Sequence, residues 1–150
     1  MNFMVVFLHV LSAIVWVGGM VAIRLAVHPS LLKISDDTVR IGRTLEILKR
    51  LFVVVVPFVV ILLVTAILMA LELKGSTLYS LVLFKEGIWT IMAINLGYMV
   101  YARSKAQSAF VANDLMRAKK LLAPLPKYLL PLNILLGIVG LWMGVTLRGF

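Results

Sequence analysis

The sequence predicts an all-α integral membrane protein, a four-transmembrane-helix bundle with its N- and C-termini outside. Three observations predict it. The 150 residues are 63% hydrophobic and only 14% charged, where soluble domains run near half apolar and a quarter charged. The mean hydropathy is +1.09. The apolar residues fall in long unbroken runs, such as "LFVVVVPFVVILLVTAILMAL". These show none of the alternation that a closed β-barrel requires.

Met1 to Ile23, Leu51 to Leu71 and Tyr128 to Leu147 are free of formal charge. Each reaches the roughly 20 residues that cross a bilayer core. Gly87 to Ala102 has only 16 such residues, so a full span must begin near Leu81 and include Lys85 and Glu86. The expected helices are 2–27, 51–72, 80–102 and 127–147. They form a single membrane domain over 1–150, with cytoplasmic loops at 28–50 and 103–126. The first run lacks a basic leader and its apolar stretch is too long for a signal peptide, so it reads as a helix.

Orientation follows from the basic residues. Arg24, Lys33, Arg40, Arg43, Lys49 and Arg50 surround the first long connection; Arg103, Lys105, Arg117, Lys119, Lys120 and Lys127 surround the second. Only Lys74, Lys85 and Arg148 remain for the other side. Twelve against three places both connections in the cytoplasm. The net charge of +9 is therefore read as a basic membrane face rather than a nucleic-acid surface, in an inner (plasma) membrane. Ser35, Asp36 and Asp37 are suited to start a helix. "SDDTVRIGRTLEILKR" is expected to extend helix 2 into the cytoplasm. A basic stretch followed by an apolar run with an early proline, Pro57 in one case and Pro131 in the other, suggests two related hairpins.

The chain has no cysteine, which removes disulfides, CxxC redox motifs and thiolate metal sites. It has no Walker loop, GxGxxG, HExxH or Ser/His/Asp set. Its six acidic residues, of which only Glu86 is expected in the bilayer, argue against an acid-driven proton pump.

The candidate chemistry lies with the two histidines. His9 is about seven residues into helix 1, roughly 10 Å from its outer end. An ionisable residue at that depth is a functional candidate; the plainer alternative is a neutral histidine bonded to a neighbouring helix. His28 sits at the cytoplasmic boundary, a candidate metal ligand or an interfacial residue favoured by the helix C-terminus. Nineteen residues separate the pair, roughly 28 Å at helical rise, so they mark two levels and cannot serve one site within one helix. Met69, Met92 and Met143 share the outer half with His9. Soft thioethers beside an imidazole suit haem iron or Cu(I), although methionine is also ordinary packing material. Lys85 and Glu86 are adjacent and are not expected to share a face. They either snorkel to the interface or one of them turns inward toward His9. Arg24 beside His28 could hold a propionate or a phosphate, or anchor the helix. Asn95 and Asn133 are expected to bond between helices. Gly18, Gly19, Gly140 and Gly144 permit close helix approach, and a homodimer through the first or fourth helix is expected.

His9, Trp16, the Gly19-Met20 step, Arg24-Leu25 and Val27-His28 together resemble the opening helix of the HemJ-type protoporphyrinogen oxidases and of the related CopD-like membrane domains. Lys85, opening the third span in "LFKEGIWTIMAINLGY", matches a lysine of the family, and Asn133 matches an asparagine. Ile134 stands where those oxidases carry an acidic residue. The resemblance implies a small helical membrane protein that binds haem b through His9, with Trp16, Arg24 and Lys85 as further cofactor-binding residues. It implies a redox role on a porphyrin or quinone-type substrate. The CopD-like side implies copper handling instead. A third reading is a non-catalytic membrane scaffold or subunit whose basic loops dock a partner or anionic lipid.

Overall fold

A computed structural model describes residues 2–147. Four long helices follow one another among the described residues: α1 (Phe3–Leu31), α2 (Asp37–Glu72), α3 (Tyr79–Val111) and α4 (Leu115–Thr146). Each packs on its two neighbours in a closed ring, α1 against α2 and α4, and α3 against α2 and α4. Helices α1, α2 and α4 are long and apolar enough to cross a membrane. Arg148, counted above among the outer basic residues, lies outside the described residues.

The helices are longer than the apolar runs. The segments expected as loops, 28–50 and 103–126, are mostly helical, and only 32–36 and 112–114 connect them. Charge changes the solvent a helix prefers; it does not remove its backbone hydrogen bonds. Nothing in 37–50 or 103–111 breaks a helix, so the 36 residues of α2 run about 54 Å, well past a hydrocarbon core of about 30 Å. Asp36 caps α2 by accepting from Val39 N–H at 3.0 Å, as the sequence suggested, and Asp37 pairs with Arg40 one turn on. At the other connection Asn113 adopts φ 60°. This left-handed residue ends α3, and Asp114 then caps α4 through Arg117 N–H at 3.0 Å.

The two basic connections lie side by side at one end of the bundle. Lys119 Nζ is 3.4 Å from Asp37 Oδ2, and Arg103 Nε donates to the Leu45 carbonyl at 3.2 Å.

Buried residues on α2 recur at Ile41, Leu45, Leu48, Phe52, Val55, Val59 and Leu62. These steps of four and three form a heptad seam. Val82, Lys85, Trp89, Met92, Leu96 and Met99 do the same on α3. Lys85 therefore occupies a core position. The outward faces are apolar as well: Val53, Val56, Val60, Val64 and Ile67 of α2 are exposed. A helix apolar all round needs protein on one side and lipid on the other.

Two turns depart from α geometry. Ile23–Val27 in α1 and Leu125–Leu129 in α4 are π-helical. Each lies two residues before a proline, Pro29 and Pro131. In each, the residue just before the proline donates five residues back, His28 to the Ile23 carbonyl and Leu130 to the Leu125 carbonyl. Proline offers no N–H and its ring crowds the carbonyl four residues earlier. Widening the preceding turn relieves that crowding. Pro57, which the sequence paired with Pro131, sits inside regular α-helix instead.

Candidate functional site

Two cavities separated by a packed layer are lined by the described residues, and they are named by position in the bundle: inner, beside the basic connections, and outer, at the far end. The outer one has a volume of about 340 Å³ and takes residues from all four helices, including His9, Met69, Lys85, Glu86, Trp89 and Gly144. The inner one, at the basic end, has a volume of about 530 Å³ and is lined by Arg24, His28, Arg40, Lys119 and Lys127 among apolar residues. Between them lie Trp16, Val17, Met20, Met92, Leu96 and Asn133, all buried. The two histidines thus occupy two levels, as their separation along α1 requires.

His9 is 6% exposed, and its Nδ1 lies 3.0 Å from Thr65 Oγ1 across the α1–α2 seam. The Thr65 hydroxyl is also within 2.8 Å of the Ile61 carbonyl and 2.9 Å of the Leu62 carbonyl. A hydroxyl has one proton and two lone pairs. With the proton donated to a carbonyl of its own helix, Thr65 accepts from His9 Nδ1–H. That assignment leaves Nε2 as the nitrogen with a free lone pair, able to act as a base, an acceptor or a metal ligand.

Lys85 is as buried as His9, at 6%, so the snorkelling alternative does not hold for it. Its ammonium is 3.6 Å from the Glu86 carboxylate, and both residues line the His9 cavity. Adjacent residues start about 100° apart on a helix, but these two side chains are long enough for their ends to converge. One turn beyond Lys85 is Trp89, which sequence reasoning missed. Its indole N–H is buried without a hydrogen-bond partner, and Trp89 lines the same cavity. The signal was present: Lys85 and Trp89 are four residues apart on the α3 seam.

The other residues implied by the resemblance do not gather round His9. Trp16 is fully buried in the separating layer, with its ring centroid 5.8 Å from that of Trp89. Arg24 lines the inner cavity with His28. Of the three methionines, Met69 lines the outer cavity, whereas Met92 and Met143 are buried in the packing and line neither cavity. Among the described residues no group of three His, Asp or Glu side chains is placed to hold a metal ion.

The separating layer has its own polar tie. Asn95 Nδ2 donates to Asn133 Oδ1 at 2.7 Å and to the Leu129 carbonyl at 3.0 Å, and Asn133 Nδ2 donates to the Met92 carbonyl at 3.1 Å. This is the interhelical bonding expected of the two asparagines. The small residues serve the same layer. A Cβ at Gly137 would lie 2.6 Å from Val17 Cγ2, and one at Gly140 would lie 3.1 Å from the Trp89 ring. Gly19 similarly faces Leu51 and Val55. Gly19 and Gly140 thus serve close helix approach within the chain, while Gly18 faces open space.

No protein-family model, curated protein or solved structure matches this chain.

Proposed function

We propose that the chain is an integral membrane protein that binds haem b at the outer cavity and has a redox role, and that His9 would hold its iron. One observation carries the reading: a buried imidazole whose Nδ1 is engaged by Thr65, beside a cavity also lined by Lys85 and by Trp89, whose N–H is buried and unpartnered. Histidines that ligate metals characteristically donate the second ring N–H to a neighbouring acceptor, which fixes the tautomer and strengthens the ligand. The resemblance of the first helix to HemJ-type proteins supports the same residue.

These residues fit the group in donor chemistry. His9 Nε2 would hold the iron, and Lys85 with the Trp89 N–H would hold an anionic or carbonyl oxygen of the cofactor or its substrate. When bound, haem supplies an iron that takes up and releases one electron at a time, at a potential set by its axial ligands and surroundings. A porphyrin or quinone-type substrate, flat and apolar with a few polar oxygens, suits the cavity's mixture of apolar wall and cationic donor.

The volume of about 340 Å³ lies near the low end of the roughly 300–1,000 Å³ typical of small-molecule sites. A macrocycle would therefore extend beyond what one chain encloses, and a second copy of the chain would complete the enclosure. Met69, on the same lining, would offer a second ligand within the chain, which favours one haem per chain. In this reading α3 is the fourth crossing, the basic end faces the cytoplasm of an inner membrane, and both termini face outward.

Copper handling is the second reading, favoured by the presence of the Met69 thioether in the His9 cavity. The visible spectrum and metal content of the purified chain decide between the two. A Soret band with iron supports haem, copper without a Soret band supports the second reading, and neither metal with no pigment overturns both.

A further inference from the structure

The inner cavity has a chemistry of its own. Its lining brings four permanent cations together from three helices: Arg24 from α1, Arg40 from α2, and Lys119 and Lys127 from α4. No carboxylate lines it. Asp37, at its edge, pairs with both Arg40 and Lys119, so four cations meet one anion. Arg24 is half-buried and its Nε is buried with no hydrogen-bond partner. Lys127 has its ammonium 5.1 Å from the Tyr128 ring centroid and pairs with no carboxylate among the described residues. His28 adds an imidazole on the same lining. Facing these groups is a wall of Ile23, Val27, Leu48, Leu122 and Leu130.

The two π turns explain why the space exists. Both widened turns contribute to the cavity: Arg24 lies in the first, and Lys127 lies in the second. The two widened turns thus bring an arginine and a lysine from different helices to one cavity. π turns recur at functional sites for this kind of displacement.

We propose that this cavity binds a phosphate ester, with the phosphate held by Arg24 and Lys127 and an apolar chain against the aliphatic wall. Donors that approach from different helices suit a tetrahedral anion with several acceptor oxygens, whereas a planar carboxylate is satisfied by one guanidinium fork. Basic pockets between membrane helices take lipid phosphates by the same electrostatics. The anionic group can come from a phospholipid headgroup or from free phosphate. The proposal uses none of the outer-cavity residues and stands apart from haem binding.

The test is native mass spectrometry of the full-length chain in mild detergent, titrated separately with phosphatidylglycerol, phosphatidylcholine, oleate and inorganic phosphate. Phosphatidylglycerol should bind more tightly than phosphatidylcholine, whose choline cation opposes Arg24, and more tightly than oleate, which offers only a carboxylate. Removing one charge-assisted contact by Arg24→Gln or Lys127→Gln should weaken binding by roughly tenfold or more. Arg24→Lys should recover part of the loss, and the exposed Lys33→Gln and Lys49→Gln, which remove as much charge elsewhere at the basic end, should bind as the unaltered chain does. Should Arg24→Gln fail to fold, Lys127→Gln and Arg24→Lys give the same comparison. Displacement of phosphatidylglycerol by millimolar inorganic phosphate would assign the site to free phosphate; no displacement would assign it to the lipid. Equal binding of phosphatidylglycerol and phosphatidylcholine, oleate binding as tightly as phosphatidylglycerol, equal weakening by the Lys33 and Lys49 variants, or no phosphate-bearing ligand bound would overturn the proposal.

Discussion

The two cavities of this bundle are built from the same helices by opposite means. The outer one lies in regular α-helix. Its lining polar groups include His9 on α1 and Lys85 on α3, single buried residues in the helix seams, and Thr65 of α2 stands behind His9. The inner one lies where two helices depart from α geometry, and its polar groups are cations near the bundle's end. The first arrangement sets one imidazole against a hydroxyl; the second gathers positive charge around an opening. A site for a directional bond and a site for a diffuse anion thus need different backbones. The difference teaches that depth in the bundle, more than residue type, sets what a histidine can do here. His9 is buried against a hydroxyl, whereas His28 is half-exposed among cations.

The comparison depends on the layer between the cavities, and breaking that layer has the largest expected effect. Gly137→Ala would put a Cβ 2.6 Å from Val17 Cγ2. Valine is stiff at χ1 and Met92 crowds the same point at 3.2 Å, so helices α1 and α4 must part. The expected cost is about 1–3 kcal/mol, read as a lower midpoint in detergent thermal unfolding. Gly97→Ala is the control. Nothing lies within 4 Å of its added Cβ, so it should be neutral or raise stability by about 0.5–1 kcal/mol through helix propensity. Equal loss from both would show that Gly137 does not hold a tight layer.

A smaller effect sharpens the outer half. Thr65→Val keeps the shape and removes the hydroxyl, which leaves His9 Nδ1–H without its acceptor. Loss of such a partner typically weakens a metal site about 10–100-fold. Titration of the apo-protein with haem should show a shift of that size, while phosphatidylglycerol binding at the inner cavity stays unchanged. Unaltered haem affinity would mean that Thr65 does not orient the ligand.

Much of this was legible in the sequence because hydrophobicity and charge are read along the chain. The positions of the apolar runs, the clustering of basic residues at one end, the cap at Asp36 and the two levels of His9 and His28 all follow from spacing. What stayed hidden depends on neighbours far apart in sequence. Thr65 is one threonine in an apolar run, and only the α1–α2 packing makes it the partner of His9, 56 residues away. Trp89 needed the phase of the α3 seam, which the shortness of its charge-free run obscured. The same phase would have placed Lys85 inward. The π turns were unread because a proline near a helix end is compatible with a stop, a kink or a widened turn. The extension of α2 back to Asp37 was read from its cap, whereas that of α3 to Val111 was missed because apolar length reports membrane thickness, not helix length. Trp16 and Arg24 were grouped with His9 by resemblance alone; the fold assigns one to the separating layer and the other to the inner cavity.

The central claim is that the cofactor belongs to the outer level, and the visible spectra of His9→Ala and His28→Ala, purified beside the unaltered chain, test it most directly. The account predicts a Soret band in the unaltered chain and in His28→Ala, and its loss or strong weakening in His9→Ala. A full band in His9→Ala with loss in His28→Ala would move the cofactor to the inner cavity and contradict the account.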